Sequence, residues 1–120
     1  AVMATFPSSD RAMAAVLRMR EAMHRLNESH GREDLLLKIG VHEGPCLAVT
    51  LNDRLDYFGQ TVNIASRVQA LADSPSVFAT EPVVAHKATN ALIDQAGLVV
   101  TPRKCALRGI ASDYTVYEIG

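Results

Sequence analysis

The chain has 120 residues, of which 48% are hydrophobic and 21% are charged, and this balance is typical of one folded domain with a single core. The formal net charge of -1 gives no support for binding to nucleic acid or to a membrane surface. No apolar run is long enough to span a membrane, and no signal peptide is visible.

The first predicted elements are a strand and a long helix. Residues 1–6 form a short apolar run that ends at Pro7, which predicts an interior strand. Because the chain begins on such a strand, we expect one domain over residues 1–120 that lacks the N-terminal part of its fold. Residues 8–10 are good N-cap residues for a helix that runs to about Asn27. Apolar residues at spacings of three and four form one stripe on this helix: Ala12, Val16, Met19, Met23 and Leu26.

Two strands joined by a turn are predicted next. Residues 27–34 are polar and indicate a loop, and apolar side chains alternate over residues 35–41 as they do in a strand. Residues 42–45 indicate a turn, and residues 46–51 indicate a second strand. The two strands are therefore predicted to pair with each other as a hairpin.

The predicted turn contains two residue types that are common in active sites. His42 lies beside Glu43, which would suit metal binding or acid–base chemistry. No third ligand lies near them in the sequence. The sequence therefore favours a structural histidine in a turn over a catalytic one.

The stretch over residues 56–67 carries the polar side chains of greatest interest. Its first residues indicate the end of a loop, and its second half indicates a helix that runs to about Leu71. Asn63 and Arg67 are four residues apart, so they project from one helix face near its N-terminus. That arrangement suits an anionic ligand with hydroxyl groups, and Asp56 adds an acceptor for a base amino group. The same spacing is typical of a cap or a solvated helix face, so spacing alone leaves both interpretations open.

The rest of the chain predicts one further helix and three strands. After a break at residues 73–75, we expect a strand over 77–80, a helix over 81–96 that ends at Gly97, a strand over 98–105 and a last strand over 114–119. Hairpins mixed with helical crossovers predict an α/β (α+β) fold of the ferredoxin-like group, with helices flanking a mixed sheet.

The two cysteines, Cys46 and Cys105, each lie in an apolar run. They are predicted to be small core residues in a reducing compartment, the cytoplasm. A disulfide between them is possible, but nothing in the sequence supports it.

Five segments carry a resemblance to a known family. Residues 56–67, DYFGQTVNIASR, match the family signature with its N-x-x-x-R in register, and residues 37–45, LKIGVHEGP, are similar to a hairpin written L-R-V-G-I-H-x-G-P. Residues 107–110 and 116–119 are similar to closing segments L-K-G-[FI] and V-Y-E-[IL], and residues 2–6 look like a strand that follows a Gly-Asp turn. On these segments the whole chain resembles the C-terminal two-thirds of the class III adenylyl/guanylyl cyclase catalytic domain.

The resemblance implies a role for each matching polar residue. Asn63 would orient the substrate ribose, and Arg67 would stabilise charge on the phosphates in the transition state. Asp56 would accept a hydrogen bond from the adenine amino group and repel the carbonyl of guanine, which favours ATP over GTP. Arg108 lies where many members have a lysine that contacts the terminal phosphates, although arginine has a different reach and geometry.

The resemblance also implies cofactors and a partner subunit. The family binds two divalent ions, Mg²⁺ or Mn²⁺, through two aspartates that this chain lacks, and we expect those ligands upstream of Ala1. The 120 residues alone are therefore expected to be inactive. Family active sites form between two subunits, one giving the metals and base readers and the other giving the Asn and Arg, so a homodimer is implied.

Three functions follow from these observations. The first is a purine nucleotide cyclase that converts ATP to 3′,5′-cyclic AMP and pyrophosphate. The second is a non-catalytic cyclase-like module that binds nucleotide or regulates a partner, which the missing aspartates favour. The third keeps only the fold, as an interaction domain of ferredoxin-like type. The first agrees best with the intact Asn63 and Arg67 pair.

Overall fold

The structure is a computed structural model that describes residues 3–31, 37–45, 47–51, 54–58, 60–72, 76–107, 109 and 111–120. Within these residues, four strands form a mixed sheet. In chain order the elements are α1 (Ser9–Ser29), β1 (Ile39–Val41), β2 (Leu47–Leu51), β3 (Arg54–Phe58), α2 (Gln60–Leu71), β4 (Val77–Thr80), α3 (Glu81–Ala85), α4 (Lys87–Gln95), β5 (Val100–Leu107) and β6 (Ala111–Ile119). The sheet order is β1-β4-β6-β5, and β2 pairs with β3 in a separate two-stranded sheet. The predicted mixed sheet with flanking helices is confirmed.

Helices cover both faces of the four-stranded sheet. On the first face α1, α3 and α4 bury one apolar cluster, which consists of Met13, Val16, Val41, Val77, Ala79, Val83, Ile93 and Ile119. On the second face α2 buries another, which consists of Val68, Ala72, Phe78, Leu107 and Val116. Successive residues of β4 alternate between the two clusters because side chains alternate across a strand. The strand is therefore buried throughout, at the centre of the molecule.

The strand pairing differs from the predicted hairpin. Strand β1 runs parallel to β4, with Ile39 opposite Val77, and β2 pairs antiparallel with β3, with Leu47 opposite Phe58. Residues 54–58 are therefore strand β3, whereas the first residues of the 56–67 stretch were predicted to end a loop. Only residues 52–53, an Asn and an Asp, separate β2 from β3 in the sequence, and such a short polar connection favours pairing of neighbours in the chain.

The predicted N-terminal strand is wrong for its described part. Residues 3–6 have no regular secondary structure, and residues 1–2 lie outside the described residues. The Met3 and Phe6 side chains are 48% and 40% exposed. A strand needs a hydrogen-bonded neighbour, and no described strand pairs with residues 3–6.

Only the first half of the stripe predicted on α1 is buried. Val16 is buried and Ala12 packs against the first cluster, whereas Met19 and Leu26 are 41% and 42% exposed. Met13, which is not on the predicted stripe, is fully buried. The helix has 21 residues and is about 31 Å long. The strands that it covers are much shorter, since β1 has three residues and β4 has four. Its second half therefore extends beyond the sheet.

The single helix predicted over residues 81–96 is two helices. His86 has an extended backbone, with φ −68° and ψ 125°, between α3 and α4. On one continuous helix Val83 and Thr89 would be about 120° apart, yet both are fully buried. The break at His86 allows both side chains to enter the core.

Cys105 is half-buried against the second cluster and carries a free thiol, whereas Cys46 lies outside the described residues. None of the helices in the described part of the chain is long and apolar enough to cross a lipid bilayer.

Candidate functional site

Helix α2 presents the two polar residues of the candidate site to solvent. Val68 is buried on its inner side, whereas Asn63 and Arg67 are exposed on its outer side. The helix follows β3 after one residue of sequence, so its N-terminal turn lies beside the two-stranded sheet that carries Asp56. The two residues predicted to share a helix face therefore do so in the structure.

A glycine in β1 brings α2 into direct contact with the sheet. A Cβ atom built on Gly40 would lie 2.7 Å from the Cα of Gln69 and 3.0 Å from the carbonyl oxygen of Ala65. Cβ atoms in proteins do not approach other atoms so closely, so only glycine allows the helix backbone to rest on the strand backbone here. The packing fixes the distance of the site helix from the sheet.

A second contact holds the N-terminal end of α2. The hydroxyl of Thr61 donates a hydrogen bond to the carbonyl oxygen of Pro45, in the segment that follows β1. A Cβ atom on Gly44 would lie 2.7 Å from that hydroxyl oxygen, so the glycine leaves room for the bond. Thr61 is not among the residues predicted from the sequence, because no local periodicity relates it to Pro45.

A small cavity adjoins Arg67. It has a volume of about 200 Å³ and is lined by Arg67, Ala70 and Leu71 of α2 and by Ala106 and Leu107 of β5. Binding pockets for drug-sized ligands usually measure about 300–1,000 Å³. The cavity is therefore smaller than a typical ligand site, and Arg67 is the polar residue among those that line it. Arg108 follows Leu107 directly in the chain, but it lies outside the described residues.

Asp56 is located by its backbone in β3, where it pairs with Val49 of β2. This strand contacts α2, so Asp56 and Asn63 belong to neighbouring elements. The structure therefore brings together the elements that carry three of the four predicted site residues.

No metal site forms among the residues that the structure describes. Nowhere among them do three His, Cys, Asp or Glu side chains come together in an arrangement that could hold a metal ion. A divalent cation of catalytic type needs several oxygen ligands at once. The described residues therefore do not fit a metal-binding role on their own.

A separate polar cluster lies where β1 and β4 end. The His42 ring nitrogen Nδ1 is 2.6 Å from the hydroxyl oxygen of Thr80, which is fully buried. Glu43 accepts a hydrogen bond from the hydroxyl of Ser9 at the start of α1. Burial lowers the pKa of His42 below its ordinary value of 6.5, and the charge of Glu43 acts in the opposite direction. These contacts agree with the interpretation of His42 as a structural residue.

The lowered pKa of His42 predicts that the protein loses stability as the pH falls. Below pH 6.5 the unfolded chain takes up a proton on this histidine before the folded chain does, so protonation favours unfolding. The loss should level off once the pH is below the folded pKa. We expect the urea midpoint to decrease between pH 7.5 and 5.5, a range of about one pH unit on either side of an ordinary histidine pKa. His42→Gln should flatten that decrease.

The matched control is the exposed His24 on α1, and His24→Gln should keep the full pH dependence. A hydrogen bond from Ser8 is the main reason that the pKa of Asp10 lies below its ordinary value of 3.8. This carboxyl group therefore does not titrate between pH 7.5 and 5.5. An unchanged slope in His42→Gln would show that other groups cause the effect.

Comparisons with known proteins support a specific family. A family model described as "Adenylate and Guanylate cyclase catalytic domain" matches residues 6–114. A curated relative, guanylate cyclase 32E of Drosophila melanogaster, is 36% identical over 83 residues. That alignment covers 67% of this chain and 6% of the relative, so the chain corresponds to a small part of that longer protein.

Proposed function

This chain belongs to the family of adenylate and guanylate cyclase catalytic domains, and we propose that it forms part of the active site of a cyclase that converts ATP to 3′,5′-cyclic AMP and pyrophosphate. The observation that carries this proposal is the pair of exposed residues on α2, Asn63 and Arg67, with Arg67 at the wall of a cavity. Their exposure leaves both side chains accessible to a ligand.

The proposed roles follow from the chemistry of the two side chains. In the reaction the ribose 3′-oxygen forms a bond to the α-phosphorus, and the bond from the α-phosphorus to the bridging oxygen breaks so that pyrophosphate leaves. The proton of the 3′-hydroxyl passes to solvent water. The Asn63 amide both donates and accepts hydrogen bonds, which suits orientation of the ribose. The Arg67 guanidinium provides planar donors for the negative charge on the phosphate oxygens in the transition state.

The family uses divalent metal ions, and its domains bind nucleotides and act as dimers. Because the described residues of this chain form no metal group, we propose that residues outside the described ones hold Mg²⁺ or Mn²⁺, on the subunit opposite α2. In a homodimer with active sites at the interface, each subunit would give Asn63 and Arg67 to one site and its metal-holding residues, outside the described ones, to the other. Arg108 is proposed to contact the terminal phosphates at the same site.

The substrate has two candidates, ATP and GTP. GTP is the second candidate because the relative is named a guanylate cyclase. We favour ATP because the carboxylate of Asp56 accepts a hydrogen bond from the adenine amino group but repels the carbonyl oxygen of guanine. An asparagine at this position can donate to guanine as well as accept from adenine. We therefore expect Asp56→Asn to shift the ratio of ATP to GTP turnover by about tenfold toward GTP.

The selectivity measurement compares initial rates with the two nucleotides under identical conditions. The control is Asp113→Asn, which makes the same chemical change at an exposed position of β6. A wild-type preference for GTP that Asp56→Asn does not alter would remove Asp56 from the base site.

The experiment that tests the proposed function is a complementation assay. The chain is mixed with a second cyclase domain that keeps its metal-binding aspartates but has alanine in place of its own equivalents of Asn63 and Arg67. That domain is inactive alone, so any product requires α2 of this chain. We expect cyclic AMP with ATP and Mn²⁺, and its loss with Asn63→Ala.

The competing functions give different results in the same assay. Binding of ATP without product from either nucleotide, together with a demonstrated complex of the two domains, would support a non-catalytic nucleotide-binding or regulatory module. A complex that binds no nucleotide, whether Arg67 is present or replaced, would support an interaction domain.

A further inference from the structure

We propose that Thr61 is a positioning residue for the reaction above, because its hydrogen bond to Pro45 holds the part of α2 that carries Asn63 and Arg67. This inference rests on the proposed function. Thr61 does not contact the substrate in this proposal. It acts through the location of the helix.

Two contacts support α2, and the site residues lie between or beside them. Gly40 lies under the middle of the helix, against Ala65 and Gln69, and Thr61 holds its first turn. Thr61 precedes Ala65 by four residues, so the two supports are about 6 Å apart along the helix axis. A helix that rests at one place can pivot about it, whereas a second support removes that freedom. Asn63 lies between the two supports.

The hydroxyl of Thr61 does not act as an ordinary helix cap. A cap side chain accepts hydrogen bonds from the N–H groups of its own helix. The Thr61 hydroxyl instead donates to the carbonyl of a residue 16 positions earlier, so it joins the helix to another segment. Gly44 leaves the space that this bond requires, since a Cβ there would lie 2.7 Å from the hydroxyl oxygen and 3.2 Å from the methyl group of Thr61.

A methyl group in place of the Thr61 hydroxyl would lengthen this contact by about half an ångström. Two oxygen atoms in a hydrogen bond are about 2.7–2.8 Å apart, whereas a carbon and a carbonyl oxygen need about 3.3 Å. Valine has the shape of threonine but places a methyl group against the Pro45 carbonyl. It should therefore push the first turn of α2 away from its support. Misplacement of about 1 Å can cost about 100-fold in rate.

We expect Thr61→Val to lower kcat by about 10- to 100-fold with KM changed less than threefold, because Asn63 and Arg67 act mainly in the transition state. Thr61→Ser keeps the hydroxyl and should restore kcat to within about threefold of wild type. Gly44→Ala should resemble Thr61→Val, because its new methyl group competes for the same space. The matched control is Thr101→Val, at an exposed position of β5, which should not change kcat.

The measurements are kcat and KM in the complementation assay, urea unfolding, and amide hydrogen exchange across α2. The Thr61–Pro45 bond lies at the exposed surface, so unfolding should change little and cannot explain a large fall in kcat. The inference is wrong if Thr61→Val keeps the wild-type kcat, or if Thr61→Ser is as impaired as Thr61→Val.

An inactive wild-type protein would instead overturn the proposed function, and hydrogen exchange would then decide whether Thr61 holds the helix. Faster exchange in the first turn of α2 in Thr61→Val, but not in Thr61→Ser, supports the positioning role. Equal exchange in both variants and wild type overturns it.

Discussion

Replacing Arg67 with alanine is expected to lower kcat by about 100- to 1,000-fold in the complementation assay, with a much smaller change in KM. The guanidinium is proposed to bind the phosphate oxygens most strongly when they carry the charge of the transition state. Only such an interaction lowers kcat without an equal effect on substrate binding. The side chain is exposed, so its removal should leave the core unchanged.

Two further variants separate charge from geometry. Arg67→Lys keeps the positive charge but loses the planar pair of donors, and we expect about a tenfold loss of kcat. Arg18→Ala removes an exposed arginine from α1, on the opposite face of the sheet from α2, and should leave kcat unchanged. A kcat for Arg67→Ala within threefold of wild type would contradict the proposed role of this residue.

Replacing Gly40 with alanine is expected to lower the free energy of unfolding by about 3 kcal/mol. The new methyl group would overlap the backbone of Gln69, and a helix backbone cannot move aside as a flexible side chain can. Either α2 lifts from β1 or the sheet deforms, and both changes weaken the second apolar cluster. A loss of this size is a large part of the total of about 5–15 kcal/mol that stabilises a typical domain.

The measurement is urea unfolding of Gly40→Ala beside Gly31→Ala. Gly31 has a positive φ of 62° but no atom within 4 Å of a built Cβ, so its alanine variant reports backbone strain without overlap. That strain should cost only about 1 kcal/mol. Equal losses in the two variants would show that α2 does not rest on Gly40 as described.

The sequence predicted the elements of the fold better than their partners. Helices α1 and α2 and strand β4 follow from local spacing, and the shared face of Asn63 and Arg67 follows from the 3.6-residue period. The pairing of β2 with β3 was missed, because strand pairing is a competition between segments that no single segment encodes.

The same limit applies to the site. Three of the four residues proposed to contact substrate, Asp56, Asn63 and Arg67, lie in one short stretch, so a local pattern could identify them. The contacts that hold that stretch in place are distant in sequence. Thr61 and Pro45 are 16 positions apart, and the polar contact between Ser9 and Glu43 spans 34. Only the folded chain brings such residues together.

The order of strands in the sheet has a consequence for synthesis of the protein. The last strand, β6, lies between β4 and β5 and supplies hydrogen bonds to both. Until Ile119 has left the ribosome, β6 cannot pair with β4 and β5. Each apolar cluster then lacks a side chain of β6, Ile119 in the first and Val116 in the second. Folding of this sheet during translation is therefore completed only after release of β6, and the earlier chain exposes strand edges to chaperones or to other chains.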